Sequence, residues 1–122
     1  MTSPREVCFL IGAAGEVLWA DVGSSPTALP DSPARWRAMW DRRDSVVEVA
    51  HSHPSGPLAF SDEDATTMAA VDAALGRWLT WSVVSPEGMV RISAGAAAHV
   101  EHNEPWWVAL LRTASGMTNE RG

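Results

Sequence analysis

The residues best equipped for chemistry lie in one short stretch, HSHPSGPLAFSDED, at positions 51–64. His51 and His53 are two apart, and side chains two apart on a β-strand leave the same face, so both imidazoles can reach one cation. Ser52 points the other way and is not a ligand by this geometry. Pro54, Gly56 and Pro57 forbid a continued strand and force a loop. Ser61 then opens a helix, and Asp64 stands in its first turn, where a carboxylate can turn toward the two histidines. Two imidazole nitrogens and one carboxylate oxygen leave the fourth corner of a tetrahedron for water. This is the open arrangement of a catalytic zinc site, with His51, His53 and Asp64 as ligands, rather than the closed set of a structural one. Taken singly the parts are ordinary: Ser61 with Asp64 makes a capping box, and histidines occur at strand ends as polar residues. Their conjunction is far rarer, and the capping and metal roles are compatible.

A metal-activated water needs a base that takes its proton and passes it to a leaving amine. The upstream carboxylates are Glu6, Glu16 and Glu48. Glu48 is an odd number of residues from both histidines, so it faces the opposite side of their strand. Glu16 falls at a hairpin turn, at the far end. Glu6 stands just before the first strand and sits over the metal if that strand neighbours the histidine strand. Glu6 is therefore the expected general base; the competing expectation is an exposed carboxylate near a frayed terminus.

These side chains need a scaffold, and the hydrophobic pattern supplies one. An apolar run at 7–11, a Gly-containing break and a second run at 16–22 predict a β-hairpin. Residues 23–33 are rich in Ser, Pro and Gly and read as a loop. Its end, Asp31-Ser32-Pro33, offers a cap and a first-turn proline to a helix reaching about Asp41, with Trp36, Met39 and Trp40 as its buried stripe. Residues 45–50 read as the strand that carries the histidines. A helix from Ser61 to about Gly76 follows, with Met68, Val71 and Leu75 at helical spacing. Strands at 79–84 and 89–92 flank a Pro-Glu-Gly turn. After a small-residue stretch, an amphipathic helix at about 104–115 presents Trp106, Trp107, Leu110, Leu111 and Ala114 on one face. The order β-β-α-β-α-β-β-α predicts an α/β fold in α/β/α layers, a mixed sheet flanked by helices.

Composition narrows the function. A chain of 122 residues is long enough for one core and too short for two, so a single domain over 1–122 is expected. With a net charge of −6 and no Lys/Arg stripe, direct nucleic-acid binding is not expected. The one basic cluster, Arg35, Arg37, Arg42 and Arg43 with Trp36 and Trp40, reads as a solvated helix face. A single cysteine, Cys8, rules out an intrachain disulfide and reads as a buried small hydrophobe. With no signal peptide or membrane-spanning run, a cytoplasmic setting is expected. Seven Trp and no Tyr is an unusual balance that identifies no activity.

His51-Ser-His53-Pro54 followed by Ser61-x-x-Asp64 resembles the JAMM signature of the JAB1/MPN/Mov34 metalloproteases. The segments REVCFLIGAAGEVLWA, HSHPSG and FSDEDATTMAAVDAALG also resemble the bacterial JAB-domain, RadC-like branch, and together the likeness spans about residues 5–93. The resemblance implies a cytidine-deaminase-like α/β/α fold and a bound Zn2+ ion. It also implies His51, His53 and Asp64 as ligands, Glu6 as general base and Ser61 as a donor to the tetrahedral oxyanion. Family peptidases cleave peptide or isopeptide bonds at the C-terminus of ubiquitin or ubiquitin-like proteins, so the implied partner is a protein or peptide substrate of that kind. Three departures stand out. Five residues precede Glu6 where many members have a helix; Phe9 follows Cys8 where peptidases often have Gly; and no large insertion is present to grip ubiquitin. The C-terminal helix is expected to fill the missing helix's place, with homodimerisation as the alternative.

The competing function is a RadC-like accessory or interaction module on the same fold, without peptidase activity. Retention of all three ligand types argues against a pure scaffold, which has no use for an open metal site. An eight-stranded barrel hydrolase also uses His-x-His, but this chain is about half as long as that barrel requires.

Overall fold

The computed structural model describes residues 4–26, 32–93 and 96–117. Among them six strands form one mixed sheet: β1 (Val7–Gly12), β2 (Val17–Val22), β3 (Val46–Ser52), β4 (Thr80–Ser85), β5 (Gly88–Ile92) and β6 (His99–Val100). Their spatial order is β2-β1-β3-β4-β5-β6. Only β3 and β4 run parallel, and the chain joins them through a crossover helix. The helices are α1 (Pro33–Asp41), α2 (Asp62–Leu75) and α3 (Trp106–Ala114). The α/β expectation holds, with β6 as an addition: residues 99–100 lie where the sequence showed only a small-residue stretch leading to the last helix. Asp31 and the middle of the 23–33 loop lie outside the described residues, as do Ala94 and Gly95.

β1 sits near the middle of the sheet, and every one of its residues is buried. Successive side chains of a strand leave opposite faces, so β1 feeds two cores. Val7, Phe9 and Ile11 join Ala50, Val84 and Met89 beneath Trp107, Val108 and Leu111 of α3. Cys8 and Leu10 join Val49, Leu79 and Trp81 beneath Ala38 and Met39 of α1 and Val71 of α2. This is the three-layer arrangement, with α1 and α2 on one face and α3 on the other. A bulge interrupts each pairing of β1, on either side of Ile11. Leu10 and Ile11 face Trp19 and Val17, leaving Leu18 as the extra residue on β2, and Ile11 and Gly12 face Glu48 and Val46, leaving Val47 as the extra residue on β3. The extra Val47 resets the alternation, which is why Val46 and Val49 share one core although three apart.

Helix boundaries follow local chemistry. Ser32 Oγ accepts from Arg35 N–H at 3.2 Å, and Pro33 occupies the first turn, where a missing N–H costs nothing. α2 closes on Gly76 at φ 70, the left-handed position that spares a residue without Cβ. Helix faces are corrected in two places. In α1 only Met39 of the expected stripe is buried, together with Ala38, while Trp36 and Trp40 are each 44% exposed. In α3 the buried face is Trp107, Val108 and Leu111, while Trp106 and Leu110 face solvent. Both helices carry large apolar residues most of the way round, so periodicity alone did not fix which stripe meets the sheet. α2 keeps its expected face, with Val71 buried and Met68 and Leu75 half-buried against it. No helix among the described residues is long and apolar enough to cross a membrane.

Candidate metal centre

The end of β3 is held by backbone and side chain alike. His53 N–H continues the parallel pairing by donating to the Val84 carbonyl at 2.7 Å. Ser52 faces away from the histidines, as its parity requires, and its fully buried Oγ accepts from Val7 N–H at 2.8 Å. That bond ties the last residue of β3 to the first of β1. His51 and His53 leave the α1/α2 face of the sheet, on the side of Val49, and α2 begins directly beside them.

Asp64 is turned toward them by the cap of α2. Ser61 Oγ accepts from Asp64 N–H at 3.0 Å, and Asp64 Oδ2 accepts from Ser61 N–H at 2.7 Å, a reciprocal capping box. Its other oxygen, Oδ1, is left for His51, while His53 lies nearer the capping oxygen. His51 Nε2 stands 3.2 Å from Asp64 Oδ1, His53 Nε2 stands 3.6 Å from Asp64 Oδ2, and the two ring nitrogens are 3.0 Å apart. His53 Nδ1 lies 3.0 Å from the Pro57 carbonyl oxygen. A carbonyl can only accept, so Nδ1 carries the hydrogen and the Nε2 lone pair of the neutral ring points inward. The edge of His51 meets Phe60, ring centres 6.3 Å apart at 60°.

These atoms suit a cation. In a tetrahedral zinc site with bonds of about 2.0–2.1 Å, neighbouring donors stand about 3.3 Å apart. The two ring nitrogens are 3.0 Å apart and the nearest carboxylate oxygens stand at 3.2 Å (Oδ1, from His51) and 3.6 Å (Oδ2, from His53), close to that spacing. Among the described residues, His51, His53 and Asp64 form the group whose ligand atoms converge closely enough to hold a metal. The carboxylate is ready to bind. Burial acts to raise the Asp64 pKa, but the hydrogen bond and charge of His51, with both bonds to Ser61, outweigh it and hold the group well below the usual carboxylate range.

Glu6 belongs to the same face. It shares the parity of Cys8, which pairs with His51 across β1 and β3, so it extends the register toward His53. It is no frayed end: Glu6 N–H donates to the Ser25 carbonyl at 2.8 Å, and its carbonyl accepts from Gly23 N–H at 2.9 Å. Its side chain is buried, with 9% of the residue exposed. Burial pushes its carboxyl above the ordinary Glu value; His53 partly offsets the rise, and Asp64 and Glu63 add to it. His53 and Asp64 are thus close enough to act on its charge.

The other two carboxylates are elsewhere. Glu16 closes the β1–β2 hairpin, its Oε1 accepting from Ala14 N–H at 3.1 Å. Glu48 lies on the α3 face, where Arg91 grips it through Nε and Nη2 at 2.9 and 2.7 Å and Ser82 Oγ donates to it. Two contributors to the centre were not singled out from sequence, the Pro57 carbonyl and the Phe60 ring. An apolar residue just ahead of a helix cap is a visible signal for the second, since such residues pack at the helix start and fix the angle at which the chain enters it. Nothing local announces the first.

The family of prokaryotic homologs of the JAB domain matches residues 1–107. The chain belongs to this family. The matched span of this JAB domain holds all six strands and Glu6, His51, His53, Ser61 and Asp64, and it ends at the second residue of α3. The chain has no significant match among curated proteins.

Proposed function

We propose that this JAB domain is a zinc-dependent hydrolase of peptide or isopeptide bonds, acting at the C-terminal tail of a ubiquitin-like or sulfur-carrier protein. One observation carries the reading: three donors at tetrahedral spacing share a sheet face with a buried, backbone-anchored glutamate. His51, His53 and Asp64 would hold the ion. When bound, zinc would lower the pKa of its water to about 7 and polarise the scissile carbonyl. Glu6, made more basic by burial, takes a proton from the attacking water and returns it to the leaving amine. Ser61 Oγ already accepts from Asp64 N–H, which leaves its O–H to donate to the developing oxyanion. The Pro57 carbonyl keeps His53 in the tautomer that binds metal through Nε2. The tail would approach as an extended chain. A cytoplasmic setting belongs to the same reading, supported by the free, buried thiol of Cys8.

The test supplies the full chain with zinc and a linear fusion of such a tail to a reporter, with cleavage followed by mass spectrometry. The parent should bind about one zinc, as expected of one such open site, and cut at the tail junction. Glu6→Gln should keep the zinc and lose cleavage by about 10²–10⁴-fold, whereas His53→Ala should lose both. A Glu6→Gln variant that cuts as fast as the parent would remove Glu6 from the mechanism. A parent that takes up no zinc would remove the reading altogether.

A further inference from the structure

The exposed tryptophans of α1 belong to a larger feature at the end of the sheet remote from the metal centre. Trp36 and Trp40 lie side by side with ring centres 6.4 Å apart and planes tilted by 33°, and the Arg43 guanidinium lies 4.2 Å above the Trp40 ring. Arg77, just past α2, donates through Nη2 to the Arg43 and Val46 carbonyls and so joins the two helix ends. Trp78 follows it and is 68% exposed, the most open large apolar residue among those described. Beside it Ala69, Ala73 and Gly76 line a shallow hollow. Arg77 thus brings the Trp78 end of α2 beside the Arg43 end of α1.

The charges of this face are unmatched. Arg35, Arg91 and Arg112 each pair with a carboxylate. Among the described residues Arg37, Arg42, Arg43 and Arg77 form no ion pair; Arg42, Arg43 and Arg77 donate to backbone carbonyls. The nearby carboxylates are Asp41 and Asp44, without an ion pair among the described residues, and Asp72, which lines the hollow with its Oδ1 accepting from Leu79 N–H and Trp81 Nε1; four arginines against three carboxylates leave this region positive in a chain of net charge −6. A merely solvated helix face would have no reason to expose Trp36, Trp40 and Trp78. Tryptophan and arginine together are the residues that dominate binding energy in protein interfaces, where a ring enters a recess and a guanidinium meets a carboxylate.

We propose that Trp36, Trp40, Arg43, Arg77 and Trp78 form a docking surface for an acidic polypeptide segment that carries apolar side chains, one of which enters the hollow beside Trp78. Charge complementarity selects this partner: the unpaired guanidiniums need carboxylates, and the indoles need apolar cover. Nucleic acid is disfavoured, since the basic area is small and offers no track of Lys and Arg along which a phosphate backbone could run. The surface begins at the Val46 end of β3, about 20 Å along the strand from its other end beside His51 and His53. A docked partner therefore leaves the metal centre open, and the two sites can be engaged together.

The experiment uses the zinc-loaded full chain and a fluorescein-labelled peptide of alternating acidic and apolar residues, with anisotropy read at low and high salt. Controls are the same peptide with Lys for each acid, an acidic peptide with Ser for each apolar residue, and an oligothymidylate of equal length. The acidic-apolar peptide should bind best and weaken with salt. Arg43→Glu should weaken it by about tenfold, and Trp36→Ser/Trp40→Ser should do the same at unchanged salt dependence. Circular dichroism melts establish that the variants fold, and Arg43→Gln replaces the charge reversal if it does not. Equal binding by the charge-reversed variant, equal or better binding of the basic peptide or the oligonucleotide, or no binding of the acidic-apolar peptide each overturns the proposal. So does concentration-dependent dimerisation that the tryptophan substitutions abolish, since the surface would then belong to a second copy of this chain. None of these outcomes depends on whether the metal centre cleaves anything.

Discussion

Asp64 is asked to do two jobs, and removing it separates them. In Asp64→Ala the Ser61 N–H loses its acceptor at 2.7 Å, and the first turn of α2 loses one of three acidic groups. Loss of half a capping box with a charge at a helix N-terminus costs about 1–2 kcal/mol. Ser61→Ala removes the reciprocal bond from Asp64 N–H at 3.0 Å and costs about 1 kcal/mol, yet leaves all three metal donors in place. Zinc discriminates the two variants. A ligand that binds only the folded state stabilises it by about 2.7 kcal/mol at a hundred times its dissociation constant. Urea unfolding followed by the fluorescence of the seven Trp, with chelator and then at buffered free zinc, measures both quantities. Parent and Ser61→Ala should each gain the full zinc increment, Ser61→Ala from a lower base. Asp64→Ala should start as low or lower and gain almost nothing at the same free zinc. A full zinc increment in Asp64→Ala would show that its carboxylate is only a cap and would refute the three-ligand centre.

Other consequences follow from contacts away from the ion. Ser52→Ala should lower stability by about 1–3 kcal/mol, because Val7 N–H then lies buried without its acceptor. The same change should slow hydrolysis while zinc is retained, since that bond joins the strand of Glu6 to the strand of the histidines; kinetics beside elemental analysis would show it. Glu48→Ala should cost about 1–3 kcal/mol by removing the bidentate partner of Arg91, which keeps only Glu101 at 3.5 Å, and zinc content should not change, because Glu48 lies on the other face of the sheet. Cys8 has its thiol pushed up to about 12 by burial, with Arg35 and Asp21 as lesser, opposed influences. A thiol reagent at pH 8 should therefore leave the folded protein unlabelled and modify it at the rate of global unfolding; fast labelling of the native chain would contradict the burial.

The parts of this protein legible in its sequence are those governed by spacing along the chain. His51 and His53 share a face because a strand repeats every two residues, and Ser61 with Asp64 caps α2 because both partners lie within one turn. The same parity kept Glu48 and Ser52 off the metal side. Tertiary structure decided what depends on register and on which surfaces are covered. The pairing of Cys8 with His51, and with it the approach of Glu6 to His53, is a contact between segments more than forty residues apart that no local pattern encodes. The bulge at Val47 shifts the alternation of β3 midway, an irregularity invisible in a run of β-formers. On α1 and α3, Trp36, Trp40, Trp106 and Leu110 read as core and lie outside, while Val108 lies inside. A helix with apolar residues on several faces can bury any of them, and the shape of the sheet beneath it selects which.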